Sequence, residues 1–253
     1  SNVPRARFKP EEVVRLTMDF YKRNYIEGLF LSSGIIQSAD YTMEQLVLVA
    51  KKLREEESFG GYIHLKAVPG ASPELLRQAG KFADRLSANI EMPVQQDLDK
   101  LAPDKTISEI EKTMAEVKSG IDESKEAAKS SNARQGRLKS GAPPAFARAG
   151  QSTQLVVGAS ASSDGVILTK AESLYKKFLL RRVYYSAFSP AQFTDPKLAK
   201  DPTPPMREHR LYEADWLIRH YGFAAHEIAN SLENGNLDLT KDPKLAWALK
   251  HRG

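Results

Sequence analysis

The stretch Tyr62-Ile63-His64-Leu65-Lys66-Ala67-Val68-Pro69-Gly70-Ala71-Ser72-Pro73-Glu74 decides how this chain folds. Its first seven residues read as a short strand that stops at Pro69-Gly70. Ser72-Pro73-Glu74 then starts a helix, with a hydroxyl at the cap, proline in the first turn and an acid beside the positive end of the dipole. A strand leading directly into a helix is half of a parallel βαβ unit.

The same unit recurs on both sides. Upstream, Pro10 to Asn24 is helical, with Val13, Leu16 and Phe20 at helical spacing, and Gly28–Gly34 is a strand ending in Ser32-Ser33-Gly34. Thr42 and Gln45 have capping-box spacing ahead of a stripe of Met43, Leu46, Val47, Ala50 and Leu53, which ends at Gly60-Gly61. Downstream, Leu86–Met92, Gln154–Ala159 and Val183–Phe188 read as further strands. Between them lie one helix behind Thr106 and Glu109 (Ile107, Ile110, Met114, Val117, Ile121) and another through Ile167, Ala171, Leu174, Tyr175 and Phe178. Strict alternation predicts an α/β fold with a parallel sheet, an incomplete TIM-like (β/α) barrel that lacks its first strand.

Residues 1–190 form this barrel in the sequence reading, and 191–253 a Pro-rich linker (Pro196, Pro202, Pro204, Pro205) and a C-terminal helical extension. That extension has Leu211, Ala214, Ile218 and Tyr221 on one helical face and a shorter helix over Ala224 to Leu232. From Lys125 to residue 150 the composition turns basic, polar and Gly/Pro-containing, with Lys125, Lys129, Arg134, Arg137, Lys139 and Arg148 against Glu126. It reads as a flexible loop, either a solvated linker or a basic surface.

With 253 residues, 41% of them hydrophobic, the chain can bury a substantial core. No apolar run approaches the ~20 residues that span a bilayer, so no membrane partner and a cytoplasmic location are expected. The absence of cysteine excludes disulfides, thiolate-held metal and a thiol nucleophile on these residues. A formal net charge of +5 is compatible with a nucleic-acid partner.

In parallel α/β sheets, chemistry sits where the strands end. The candidates are Ser32, Ser33 and Gly34; His64 and Lys66; Asn89 and Glu91; Gln154 and Gly158 to Ser160; and Tyr184 to Ser186. His64 and Lys66 share one face of a strand, as do Asn89 and Glu91. Lys66 and Glu91 are either a structural pair or the recognition elements of a ligand site. Ser32-Ser33-Gly34 suits a tight turn equally well. Ser160 to Gly165 either presents N–H groups to an anion or serves as a cap with Asp164 as the capping residue. The five histidines lack ligand spacing, and no Walker loop, dinucleotide fingerprint or nucleophile elbow occurs.

The strings NYIEGLFLSSGI (Asn24–Ile35), YIHLKAVPGAS (Tyr62–Ser72), RLSANIEMP (Arg85–Pro93), AGQSTQLVVGASASSD (Ala149–Asp164), RRVYYSAFSP (Arg181–Pro190) and REHRLYEADWLIRHYGF (Arg207–Phe223) carry a resemblance. Together they resemble the DNA modification/repair subgroup of radical S-adenosylmethionine proteins. The resemblance implies a partial (β/α)6 barrel, S-adenosylmethionine and a [4Fe–4S] cluster as cofactors, and reductive cleavage to a 5′-deoxyadenosyl radical. It implies an electron donor as partner, and nucleic acid (DNA before RNA) or a nucleotide as substrate. It places Ser32, Ser33 and Gly34 at the methionyl amino group, Lys66, Asn89 and Glu91 at the carboxylate or ribose, and Gln154, Val157 and Gly158 against the adenine.

The turn here is Ser-Ser-Gly where the superfamily has a Gly-Gly-Glu-like sequence. The Cys-x3-Cys-x2-Cys cluster motif is absent, so these residues alone cannot ligate the cluster. The expectation is a central portion of such an enzyme, inactive by itself, with the cysteine loop upstream and a helix-hairpin-helix downstream. The alternatives are a non-catalytic nucleic-acid-binding barrel and a cluster-free barrel lyase or aldolase using Lys66.

Overall fold

Helices and strands alternate from α1 (Pro10–Lys22) through β1 (Gly28–Leu31), α2 (Ala39–Glu55), β2 (Tyr62–Lys66), α3 (Pro73–Phe82) and β3 (Arg85–Ser87). There follow α4 (Gln95–Leu101), α5 (Ile107–Arg134), β4 (Gln151–Val157), α6 (Asp164–Phe178) and β5 (Arg182–Ala187), then α7 (Pro205–Tyr221), α8 (Ala225–Ala229) and α9 (Pro243–Lys250). These come from a computed structural model that describes residues 6–134, 145–190 and 198–252.

The five strands form one sheet in sequential order, β1-β2-β3-β4-β5, and β1 to β4 pair in parallel. Sequential order is the connectivity of a (β/α) barrel; a doubly wound sheet would reverse direction at a switch point. The α/β, parallel-sheet expectation is met.

The molecule divides into two compact units. The first comprises Ser1–Ala88 with Ser108–Ser152, and the second Asn89–Ile107 with Thr153–Gly253. The register fixes two faces in the first. Leu29, Ile63 and Leu86 lie in one set, while Phe30, His64 and Arg85 align in the other. Ile63, Leu65 and Leu86 are all 0% exposed and pack in one cluster with Met43, Leu46, Ala50 and Leu53 of α2 and Leu76 and Ala79 of α3. At about 2 kcal/mol per fully buried aliphatic side chain, this layer fixes which face of each strand turns to the helices. A slip by one residue would bury His64 and Lys66 there instead.

The amino ends of these strands are held by Asp84. Its carboxylate accepts hydrogen bonds from Arg54 Nη2 at 2.7 Å, the Ile63 N–H at 2.8 Å and Arg148 Nε at 2.5 Å. Arg54 also donates to the carbonyls of Phe59, Gly61 and Phe82. In the second unit, the fully buried Asp215 of α7 accepts from Tyr175 (2.6 Å), Tyr185 (3.1 Å) and Arg219 Nε (2.6 Å). Burial first, then the adjacent Asp215 charge, pushes both phenols above their ordinary range, so they remain donors.

Several local expectations are corrected. Helix α2 begins at Ala39, because Ser38 Oγ accepts the Tyr41 N–H at 3.0 Å; Thr42 lies inside the helix and donates to the Ser38 carbonyl. Ser72 occupies the cap position of α3 without a side-chain cap, and its N–H donates to Asp40 instead. The strand expected to reach Met92 ends at Ser87, beyond which Glu91 takes a left-handed backbone (φ 62°). Helix α5 continues to Arg134, so the expected loop from Lys125 is helical that far. Arg137 and Lys139 of that loop, and Pro196 of the linker, lie outside the described residues. Helices α4 and α9 had no counterpart in the sequence reading.

Candidate functional site

Beyond β3 the chain leaves regular pairing yet stays beside β4. Glu91 N–H donates to the Gln154 carbonyl at 3.0 Å, the Val156 N–H to the Glu91 carbonyl at 2.7 Å, and the Ile90 N–H to Thr153 Oγ1 at 2.9 Å. These three bonds over-determine the positive φ of Glu91, a conformation costing a non-glycine residue about 1–2 kcal/mol. The side chains brought together are polar. Asn89 Nδ2 donates to Gln154 Oε1 at 3.2 Å, and the half-buried Glu91 carboxylate pairs with Lys105 Nζ at 2.9 Å. Asn89, Glu91, Lys105 and Gln154 all belong to the second unit.

The loop after β4 is tied down close in sequence to this group. Asp97 Oδ2 of α4 accepts from Ser160 Oγ at 2.7 Å and Ser162 Oγ at 2.6 Å. Asp164 is not the cap of α6, whose N-cap is Ser163. Its buried carboxylate accepts from Arg207 Nε at 2.8 Å and the Leu237 N–H at 3.0 Å, so it anchors the C-terminal segment.

The remaining candidates fall elsewhere. Val157 is fully buried, and its carbonyl accepts from the Phe188 N–H and Thr203 Oγ1. Gly158 (φ 81°) has Thr203 against its open side, where a Cβ would come within 1.9 Å of Oγ1. Both residues shape the end of β4, where Val157 has no exposed surface and Gly158 is half-buried. Ser32, Ser33 and Gly34 are exposed beyond β1, with Ser33 Oγ donating to the Gly34 carbonyl. Lys66 ends β2 in register with Ser87. These four residues belong to the first unit.

Also in the first unit, His64 Nε2 lies 2.9 Å from Ser87 Oγ, and its ring meets Phe30 edge-on at 4.7 Å between centroids. Burial first, and the Arg85 charge second, lower its pKa to about 4, so the ring is neutral at physiological pH.

Sequence reasoning missed Lys105, Asp97 and Arg85. Arg85 was findable, because it is two residues before Ser87 and so shares its face. Lys105 and Asp97 were not, since only the unforeseen α4 and the loop after it place them.

No known family model and no curated protein sequence matches this chain. Among the described residues, no group of three or more His, Asp or Glu side chains is placed to hold a metal ion, and no helix is long and apolar enough to cross a membrane.

Proposed function

We propose that this chain is the nucleoside-binding portion of a radical S-adenosylmethionine protein, built on a partial (β/α)6 barrel and acting in modification or repair of nucleic acid. The observation that carries the reading is the joining of Asn89 to Gln154 and of Glu91 to Lys105 in one compact unit, where the chain beyond β3 runs beside β4. A sulfonium nucleoside has an amino acid end, a diol and a purine edge, and this set supplies a partner for each. Lys105 neutralises a carboxylate, Glu91 accepts from ribose hydroxyls, and the two carboxamides donate to and accept from ring nitrogens.

The chemistry of the set supports S-adenosylmethionine as its ligand, which on binding takes the place of the Asn89–Gln154 and Glu91–Lys105 bonds. The [4Fe–4S] cluster does not fit these residues, because the chain has no cysteine to furnish thiolates. No step is derived through it, and the family's radical chemistry enters only by resemblance. The nucleic-acid substrate is supported by the same resemblance and by the net charge of +5.

Calorimetric titration of the 253-residue chain with S-adenosylmethionine tests the reading. Saturable binding is expected, weakened about tenfold or more by Gln154→Leu or Glu91→Gln, as for loss of a charge-assisted or bidentate contact. Absence of binding, or equal binding by both variants, overturns it.

A further inference from the structure

One face of the first unit is left chemically incomplete. The register aligns Phe30 with His64 and His64 with Arg85, and aligns Lys66 with Ser87 and Ser87 with Ser152. Paired residues of a parallel sheet point to the same side. The His64 ring confirms it, touching Phe30 on one neighbouring strand and Ser87 on the other. The face opposite is the apolar layer under α2 and α3.

Two buried polar atoms on this face have no hydrogen-bond partner among the described residues: Arg85 Nε and Ser152 Oγ. Ser152 is 0% exposed. Buried donors are almost always satisfied, and a guanidinium N–H is among the costliest to leave open. The neighbouring residue shows the contrast, since Asp84 is fully engaged on the other side by Arg54, Arg148 and the Ile63 N–H.

We infer that this face binds an oxyanion, a phosphate or a carboxylate carried by a small molecule, with Arg85 as the charged donor and Ser152 as the hydroxyl donor. The remaining residues agree. His64 is held neutral, by burial first and by the Arg85 charge second, so its ring adds no charge and places that cation close by. Phe30, 60% exposed, and Tyr62, 41% exposed, stand on the same face and offer flat apolar surface to the rest of the ligand. An aromatic or heterocyclic compound with an anionic group, such as a nucleotide, fits both features. This inference uses residues outside the Asn89–Gln154 set and does not rest on the sulfonium reading.

The test follows the His64 ring protons by NMR, assigned by their absence in His64→Gln, while the whole chain is titrated with 5′-AMP, adenosine or benzoate. A saturable shift with 5′-AMP and none with adenosine at equal concentration is expected. Benzoate shifting the ring as well would extend the site to carboxylates; benzoate without effect would restrict it to phosphate. Arg85→Met should weaken 5′-AMP binding by about tenfold or more, Arg85→Lys by less, and Ser152→Ala by about threefold. The wild-type titration stands even if Arg85→Met fails to fold. Adenosine acting as well as 5′-AMP, no shift at millimolar 5′-AMP, or unaltered affinity in Ser152→Ala and Arg85→Lys together would overturn the assignment. Gln154→Leu separates the two proposals, since it should leave 5′-AMP binding intact.

Discussion

Asp84 and Arg85 are consecutive in sequence and opposite in circumstance. Asp84 ends its search for partners inside the protein, with two arginines and a backbone N–H on its carboxylate. Arg85 presents a buried Nε with none among the described residues. One peptide bond separates a polar group spent on the fold from a polar group held in reserve. A carboxylate engaged on every side serves the fold, whereas a buried donor without a partner calls for one from outside it.

The comparison is sharpest where it predicts opposite effects on stability. Asp84→Ala should destabilise the chain by about 3 kcal/mol, since it strips the partner from the part-buried Arg54 and from the Ile63 N–H. Chemical denaturation would measure this, and a loss under 1 kcal/mol would undo the structural role of Asp84. Gly158→Ala should cost about 2–3 kcal/mol, combining left-handed strain with displacement of the Thr203 hydroxyl from the Val157 carbonyl. Thermal melts would read it as a clear drop in Tm without any change at the oxyanion face.

A smaller effect comes from acid. The folded pKa of His64 lies near 4 against 6.5 for the free side chain, so the unfolded chain takes up the proton first as pH falls. Its contribution is therefore intact above pH 6.5 and is progressively lost between 6.5 and about 4. Discounted for partial exposure, that is about 1–2 kcal/mol. His64→Gln should flatten the pH dependence of Tm across that window relative to wild type. An identical profile would show that the ring is freely protonated. Least of all, Arg85→Met should change stability by under about 1 kcal/mol, or raise it, because a buried Nε–H without a partner gives way to an apolar chain of similar length. A large destabilisation there would erase the contrast with Asp84.

What was legible in the sequence follows the physics of each region. Ile63, Leu65 and the helical stripe from Met43 to Leu53 face one way because hydrophobic period determines burial, and these were readable. Ser38 displaced the expected cap because several hydroxyls preceded α2, and only the backbone decides which one reaches an orphan N–H. Glu91 was foreseen as functional but not as left-handed. Its conformation depends on bonds to β4 some 63 residues later, as from the Ile90 N–H to Thr153, which no local pattern encodes. Lys105 was invisible for the same reason. Val157 and Gly158 were assigned by position along a strand, whereas Thr203 determines what their end of β4 presents.

Neither compact unit is a contiguous stretch of polypeptide. The chain passes from one to the other after Ala88, after Ile107 and again after Ser152, inside β4. No single proteolytic cut can release either half intact, and a terminal deletion aimed at one removes material from both or strands a fragment. During synthesis the first unit lacks α5 and the start of β4 until more than half the protein has been made. Completion of the first unit is accordingly expected only once the chain has been made as far as Ser152.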